Sequence, residues 1–183
     1  MAKVSGPLFS LEASGSYGGA LTFGKWKGRQ YCRQLVIPSN PNTADQEAAR
    51  NRLRVGGAIQ KWIKSSTLIE AGQTLTDLDR IKGVTPSGYA WNGFLVDNLI
   101  GGGGLNYDAG VAAWTALQAA AKTAWSTAAE ALTPAYADVY QSAAGGVPGT
   151  PMESGEVFFL HRYAMHKMGV LTAAPGATPP TYA

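Results

Sequence analysis

The sequence predicts an α+β chain, mainly α, in which an N-terminal β-ribbon leads into a bundle of four to five helices flanked by extended N- and C-terminal arms. Three observations predict it. Period-two alternation is confined to residues 21–37, and apolar residues recur at helical spacing in blocks between residues 43 and 168. Neither pattern appears in the Gly/Ser-rich residues 1–20 or the Pro-rich residues 172–183. The chain therefore divides into an arm and hairpin (1–42), a helical body (43–171) and a tail (172–183).

The first element is the ribbon. Residues 1–20 read as an extended arm with a weakly patterned short strand at 8–11. Leu21, Phe23 and Lys25 then alternate with Thr22 and Gly24, and Tyr31, Arg33, Leu35 and Ile37 alternate with Cys32, Gln34 and Val36. Lys27-Gly28 lies between the runs, where glycine supplies the positive φ of a tight hairpin. Pro38 and Pro41 end the ribbon, since each lacks an amide donor and forces its predecessor into extended geometry. A two-stranded hairpin is marginal in water. Either it packs on the helices of its own chain, or another chain adds a strand. The second reading is favoured, because Trp26, Arg29, Tyr31 and Arg33 belong to the residue types that interface centres are enriched in. With Asn40 and Asn42 of the crossing, these are the candidate interface residues.

The helices follow in order. Thr43 and Gln46 have capping-box spacing, which starts a helix running to about Lys64. Ala49, Leu53, Gly56, Ile59 or Gln60, and Ile63 share its predicted inward face. Gly56-Gly57 disfavours helix, so the pair predicts close approach of another element there. Residues 65–84 read as a connection with a helical turn near 75–81. Thr85-Pro86-Ser87 opens a second helix, whose Trp91, Phe94, Leu95, Asn98 and Leu99 form one face and which ends at the glycine run 101–104. A third block spans about 107–132 and is broken by Thr133-Pro134. The last helix runs from Ser154 to about Met168 with Val157, Leu160 or His161, Ala164 and Met168 inward, ending at Gly169.

Composition narrows the function. Charged residues are 15% of the 183, against 45% hydrophobic. The usual charged share is about 25%, so the shortfall points to surface covered by neighbours. A formal charge of +3 with pI ≈ 9.0 permits contact with nucleic acid without requiring it. The lone Cys32 excludes an internal disulfide framework and reads as a half-buried strand residue. With neither a leader pattern nor an apolar run of membrane-spanning length, a soluble, untargeted chain is expected.

Signatures of chemistry are missing. His161 and His166 stand five apart, about 140° around a helix at ~100° per residue, whereas a helical metal pair needs three or four. The 101–104 glycines are not followed by Gly-Lys-Ser/Thr, and Asp77 with Asp79 lacks the rest of an oxygen cage. No catalytic, metal or cofactor residue is assigned. Trp62, Trp91, Trp114 and Trp125 fall in helical blocks as core residues. Trp26, beside lysines at the hairpin turn, is the exception.

Residues 21–50, LTFGKWKGRQYCRQLVIPSNPNTADQEAAR, resemble a segment of small proteins encoded by tailed bacteriophages and prophages. There a strand and turn of the form K/R-G-x-x-Y-x-R leads through P-x-N-P-x-T-x-x-Q into a helix. The matching positions are Lys27, Gly28, Tyr31, Arg33, Pro38, Asn40, Pro41, Thr43 and Gln46; Asp45 departs from the pattern. The resemblance covers about a sixth of the chain. It implies a virion structural component with no known catalytic role. The chain is accordingly expected to be multicopy, assembled in the host cytoplasm and joined by its β-ribbon and arms to copies of itself and other virion proteins, in the neck, collar or tail region or as a capsid decoration protein. Neither membrane nor small-molecule substrate is implied. The rival is a nucleic-acid-binding module using Lys25, Lys27, Arg29, Arg33, Arg50 and Arg54, which binds DNA with steep salt dependence.

Overall fold

Residues 14–36, 42–101, 105–141, 149 and 151–183 are described by the structure, a computed structural model. The chain divides into two compact units, Met1–Pro41 and Asn42–Ala183. The first carries an antiparallel sheet of β1 (Gly15–Tyr17), β2 (Leu21–Trp26) and β3 (Arg29–Gln34), in the order β1-β2-β3. The alternation in β2 and β3 produces the expected hairpin, with Phe23 opposite Cys32 and Trp26 opposite Arg29. Its two-residue turn has positive φ at both centres, 50° at Lys27 and 77° at Gly28. That is the twist a right-handed hairpin needs, and Gly28 adopts it without a Cβ penalty. The ribbon does not stay two-stranded. β1 pairs with β2 through Ser16 opposite Thr22, so the chain's own arm supplies a third strand. The strand expected at 8–11 lies outside the described residues.

The second unit holds six helices among the described residues, more than the four to five that patterning predicts. α1 (Ala44–Ser65) starts where expected, with the Thr43 side chain accepting from the Gln46 amide at 3.4 Å. Its inward face is rotated from the predicted one. Val55, Gly56, Ile59, Trp62 and Ile63 are buried, but Ala49 and Leu53 face solvent, and Glu47 points inward instead. Glu47 accepts from Arg50 at 2.5 Å, which lets a carboxylate take the buried position. Gly56 does mark a close approach: a Cβ there would sit 3.2 Å from the Ile100 side chain, while one on Gly57 would meet open space.

The short connection resolves into α2 (Asp77–Val84). Thr76 caps it, accepting from the Asp79 amide at 3.3 Å and donating to the Asp79 carboxylate at 2.8 Å. α3 (Trp91–Ile100) begins after the predicted proline start, with Ala90 as its cap, yet its Leu95 and Leu99 are buried as expected. The single block expected at 107–132 is two helices, α4 (Leu105–Thr115) and α5 (Ala119–Ala131).

The last helix, α6 (Ser154–Lys167), is the axis of the unit. From Val157 to Met165 every residue is buried, because α1, α3, α4 and α5 all pack against it. A helix enclosed on all sides has no solvent face to reveal by period. Gly155 lets α5 come close: a Cβ there would lie 2.6 Å from the Ser126 amide nitrogen and 2.8 Å from its Cα. Phe158 and Phe159 meet Trp125 edge-on at 5.1 and 5.2 Å. No helix among the described residues is long and apolar enough to cross a membrane.

The tail is extended in backbone, as expected, but it is tied to its own helical unit. Ile69 and Ala183 exchange backbone bonds at 3.0 and 2.9 Å, Ala71 donates to Thr181 at 2.8 Å, and the Trp125 indole donates to Gly176 at 3.1 Å. The tail is therefore anchored within its own helical unit.

Candidate functional site

Directly paired residues of an antiparallel sheet share a face, and successive residues alternate. The register therefore puts Trp26, Arg29, Tyr31 and Arg33 on one face with Thr22, Gly24 and Ser16. Four of the six candidate interface residues thus come together. Trp26 is 68% exposed. Gly24 is the floor under Tyr31, since a Cβ there would stand 2.7 Å from the phenol ring. Each ring already carries a cation: Lys27 Nζ lies 4.7 Å from the Trp26 centroid, and the Arg33 guanidinium 5.9 Å from Tyr31. The opposite face holds buried Phe23, half-buried Cys32 and exposed Lys25.

Asn40 lies outside the described residues. Asn42 belongs to the helical unit, where its backbone has φ 47° and its side-chain Oδ1 accepts from Arg50 at 2.7 Å. Arg50 and Arg54, candidates for phosphate contact, are both engaged by Glu47, at 2.5 and 3.9 Å. The positive charge sits instead in the sheet unit. Residues 1–41 hold five Lys and Arg against one Glu, and the rest of the chain holds ten against eleven Asp and Glu. Between residues 14 and 36 there is no carboxylate.

Two further places carry perturbed groups. The first is a buried polar cluster under the tail. Arg162 donates to Glu70 at 2.5 Å and to the Tyr182 hydroxyl at 2.9 Å, Tyr182 donates to Asp77 at 2.5 Å, and Arg80 donates to Glu70 at 2.5 Å. Burial pushes Asp77 up, against the pull of Tyr182 and the arginines. Burial also raises Glu70, but Arg162 and Arg80 outweigh it and hold that carboxyl below its usual range. His161, fully buried, is driven well below its usual value by burial and then by the two arginines, so it is neutral. Its Nδ1 meets the Tyr136 hydroxyl at 2.6 Å, and its Nε2 stands 3.8 Å from Asp77, beyond hydrogen-bond length. With His161 neutral, two carboxylates and two guanidiniums balance, and each satisfies another. The arrangement locks the tail in place.

Sequence spacing does not reveal this cluster, since Asp77 beside Asp79 suggests nothing beyond a cation ligand. The available signal is Arg162 itself, a lone cation inside the apolar run 157–165, which burial obliges to find a partner. His166, on the same helix, meets the Leu171 carbonyl at 3.2 Å.

The second place is a cleft of about 510 Å³ lined by Asn51, Arg52, Tyr107, Asp108, Met152 and Glu156 among others. Burial, and then the charge of Glu153, push Glu156 up to about 7, and burial with Glu156 pushes Tyr107 up to about 12. The other carboxylate lining it, Asp108, is paired with Arg52 at 2.9 Å. The consequence of the raised Glu156 is for stability. Folded Glu156 holds its proton up to about 7, whereas the unfolded group releases it near 4.5, so stability falls as pH rises between those values. Glu156→Gln is expected to remove that fall. Urea unfolding from about pH 5 to 8 should show the variant gaining on the parent as pH rises; parallel curves would refute the assignment.

No protein-family model matches the chain, and no curated protein or solved structure matches it significantly.

Proposed function

We propose that the chain is a non-enzymatic, multicopy structural subunit of a bacteriophage virion, joined to its neighbours through the N-terminal sheet. Its place is the neck, collar or tail region, with capsid decoration as the alternative. The observation that carries the reading is the sheet face bearing Trp26, Arg29, Tyr31 and Arg33. Tryptophan, tyrosine and arginine are the residues on which interface energy concentrates, and a sheet that exposes them is built for contact. The likeness of residues 21–50 to phage-encoded proteins supplies the particle. The tail is docked on its own helices, so the sheet is the better candidate for the joining element.

Quantitative mass spectrometry of purified virions tests this. The chain should be found at a fixed stoichiometry, a ring's complement of about a dozen for the neck or hundreds for tube or shell, and Trp26→Ala with Arg33→Ala should lower its incorporation. Absence from purified particles would overturn the reading. The nucleic-acid alternative is favoured by one observation, the lack of any carboxylate in residues 14–36. It requires DNA affinity that falls steeply with salt.

A further inference from the structure

The structure assigns the end of the tail a second state: residues 181–183 form a strap that acid unseats, with His161 taking the Asp77 oxygen that the Tyr182 hydroxyl holds while the strap is seated. This goes beyond the structural-subunit reading and does not depend on it.

The two oxygens of Asp77 face different neighbours. Oδ1 is turned towards Arg80 at 3.4 Å and Arg162 at 3.8 Å. Oδ2 accepts from the Tyr182 hydroxyl at 2.5 Å, and the same oxygen stands 3.8 Å from His161 Nε2. That nitrogen is buried with no hydrogen-bond partner among the described residues. The other ring nitrogen meets the Tyr136 hydroxyl at 2.6 Å. A bare Nε2 would turn its lone pair on the carboxylate, so Nε2 carries the hydrogen and Nδ1 accepts from Tyr136. Asp77 Oδ2 thus has two donors aimed at it, one on the tail and one on α6, and only the tail's is within bonding distance.

The strap is built to lift by its end. Thr181 and Ala183 are exposed, so beyond the backbone pairing with residues 69–71 its hold is the half-buried Tyr182 side chain. The bond from Trp125 to Gly176 lies nearer α6 and can persist when the end comes away.

Protons couple to that movement through charge. In the seated cluster Arg80 and Arg162 are balanced by Glu70 and Asp77, so a charged His161 would be one buried cation too many. Lifting Tyr182 opens Asp77 Oδ2 and the nitrogen beside it to water. His161 then returns towards its usual value near 6.5 and pairs as a cation with Asp77. The lifted state binds a proton that the seated state refuses, so seating weakens as pH falls below about 6.5. Burial holds the seated Asp77 above its usual 3.8, which opposes release as pH nears that value. Burial raises Glu70 too, but the arginines outweigh it, so that carboxyl favours release, starting near 4.5. Tyr136 and Tyr182, both raised by burial, keep their protons throughout.

Hydrogen exchange of the full chain, followed by NMR from about pH 7.5 to 5 and corrected for intrinsic rates, tests the proposal. Protection of the Ile69, Ala71 and Ala183 amides is expected to fall about tenfold towards pH 5. The α6 amides from Phe158 to Met165 should not lose protection, because Glu156 favours the whole unit as pH falls. His161→Phe with Tyr136→Phe removes the titrating ring and the hydroxyl it would orphan, and should make strap protection independent of pH over that range. A second readout needs no change at the histidine: its ring resonances should titrate nearer 6.5 in Tyr182→Phe than in the parent. Flat protection in the parent, an equal loss along α6, or a His161 that titrates near 6.5 while the strap amides stay protected would each overturn the strap. Absence of the chain from virions would leave it standing.

Discussion

Arg162→Met is expected to destabilise the helical unit by about 3–5 kcal/mol, the usual consequence of removing one member of a buried, hydrogen-bonded charge group. Arg162 is 5% exposed and joins three residues distant in sequence, Glu70, Asp77 and Tyr182. Methionine of similar length fills the space but leaves Glu70 with Arg80 alone and withdraws one of the two guanidiniums balancing Asp77. The remaining cluster carries a net negative charge in a site with little water. Urea unfolding at neutral pH reads the loss as a lower midpoint with unchanged slope. A double variant, Arg162→Met with Glu70→Met, should recover part of the loss, because an apolar pair leaves less uncompensated charge behind. A single variant as stable as the parent would mean that the charges are solvated and that the cluster holds nothing.

Ending the chain at Leu171 is the second large effect. It strips the Tyr182 hydroxyl from Asp77, the Gly176 carbonyl from the Trp125 indole, and the backbone pairing of Ala183 and Thr181 with Ile69 and Ala71. Each buried group left unpartnered costs about 1–3 kcal/mol, so the sum is about 5 kcal/mol, a large part of a typical domain's total. For a chain of this size that is a fall in Tm of roughly 10–20 °C by calorimetry. Tyr182→Phe, which removes one hydroxyl and keeps the ring packed near Trp62 at 6.0 Å, should account for about 1–3 kcal/mol of it. A shortened chain melting with the parent would show that the tail merely rests on the surface.

These predictions concern contacts that sequence reading could not reach, and the reason differs from place to place. Leu53 and Ala49 continue the spacing of Gly56 and Ile63, but the start of α1 turns Glu47 inward because Arg50 and Arg54 answer its charge. β1 is three residues of Gly, Ser and Tyr, too short to show a period. The candidate face was more legible. Trp26, Arg29, Tyr31 and Arg33 were singled out by type, and the register then placed them side by side, since pairing across a two-residue turn follows from the turn itself.

What the sequence determined by itself is local: the hairpin with its Lys27-Gly28 turn, the Thr43 cap, and the Leu95–Leu99 face of α3. Each depends on residues within a few positions of one another, where steric preference and spacing act directly. Tertiary structure alone decided the enclosure of α6, the division of α4 from α5, and the seating of the tail. Those depend on partners such as Glu70 and Arg162, 92 residues apart, or Asp77 and Tyr182, 105 apart. A charge that needs a distant partner leaves no periodic trace along the chain, and only folding brings the two together.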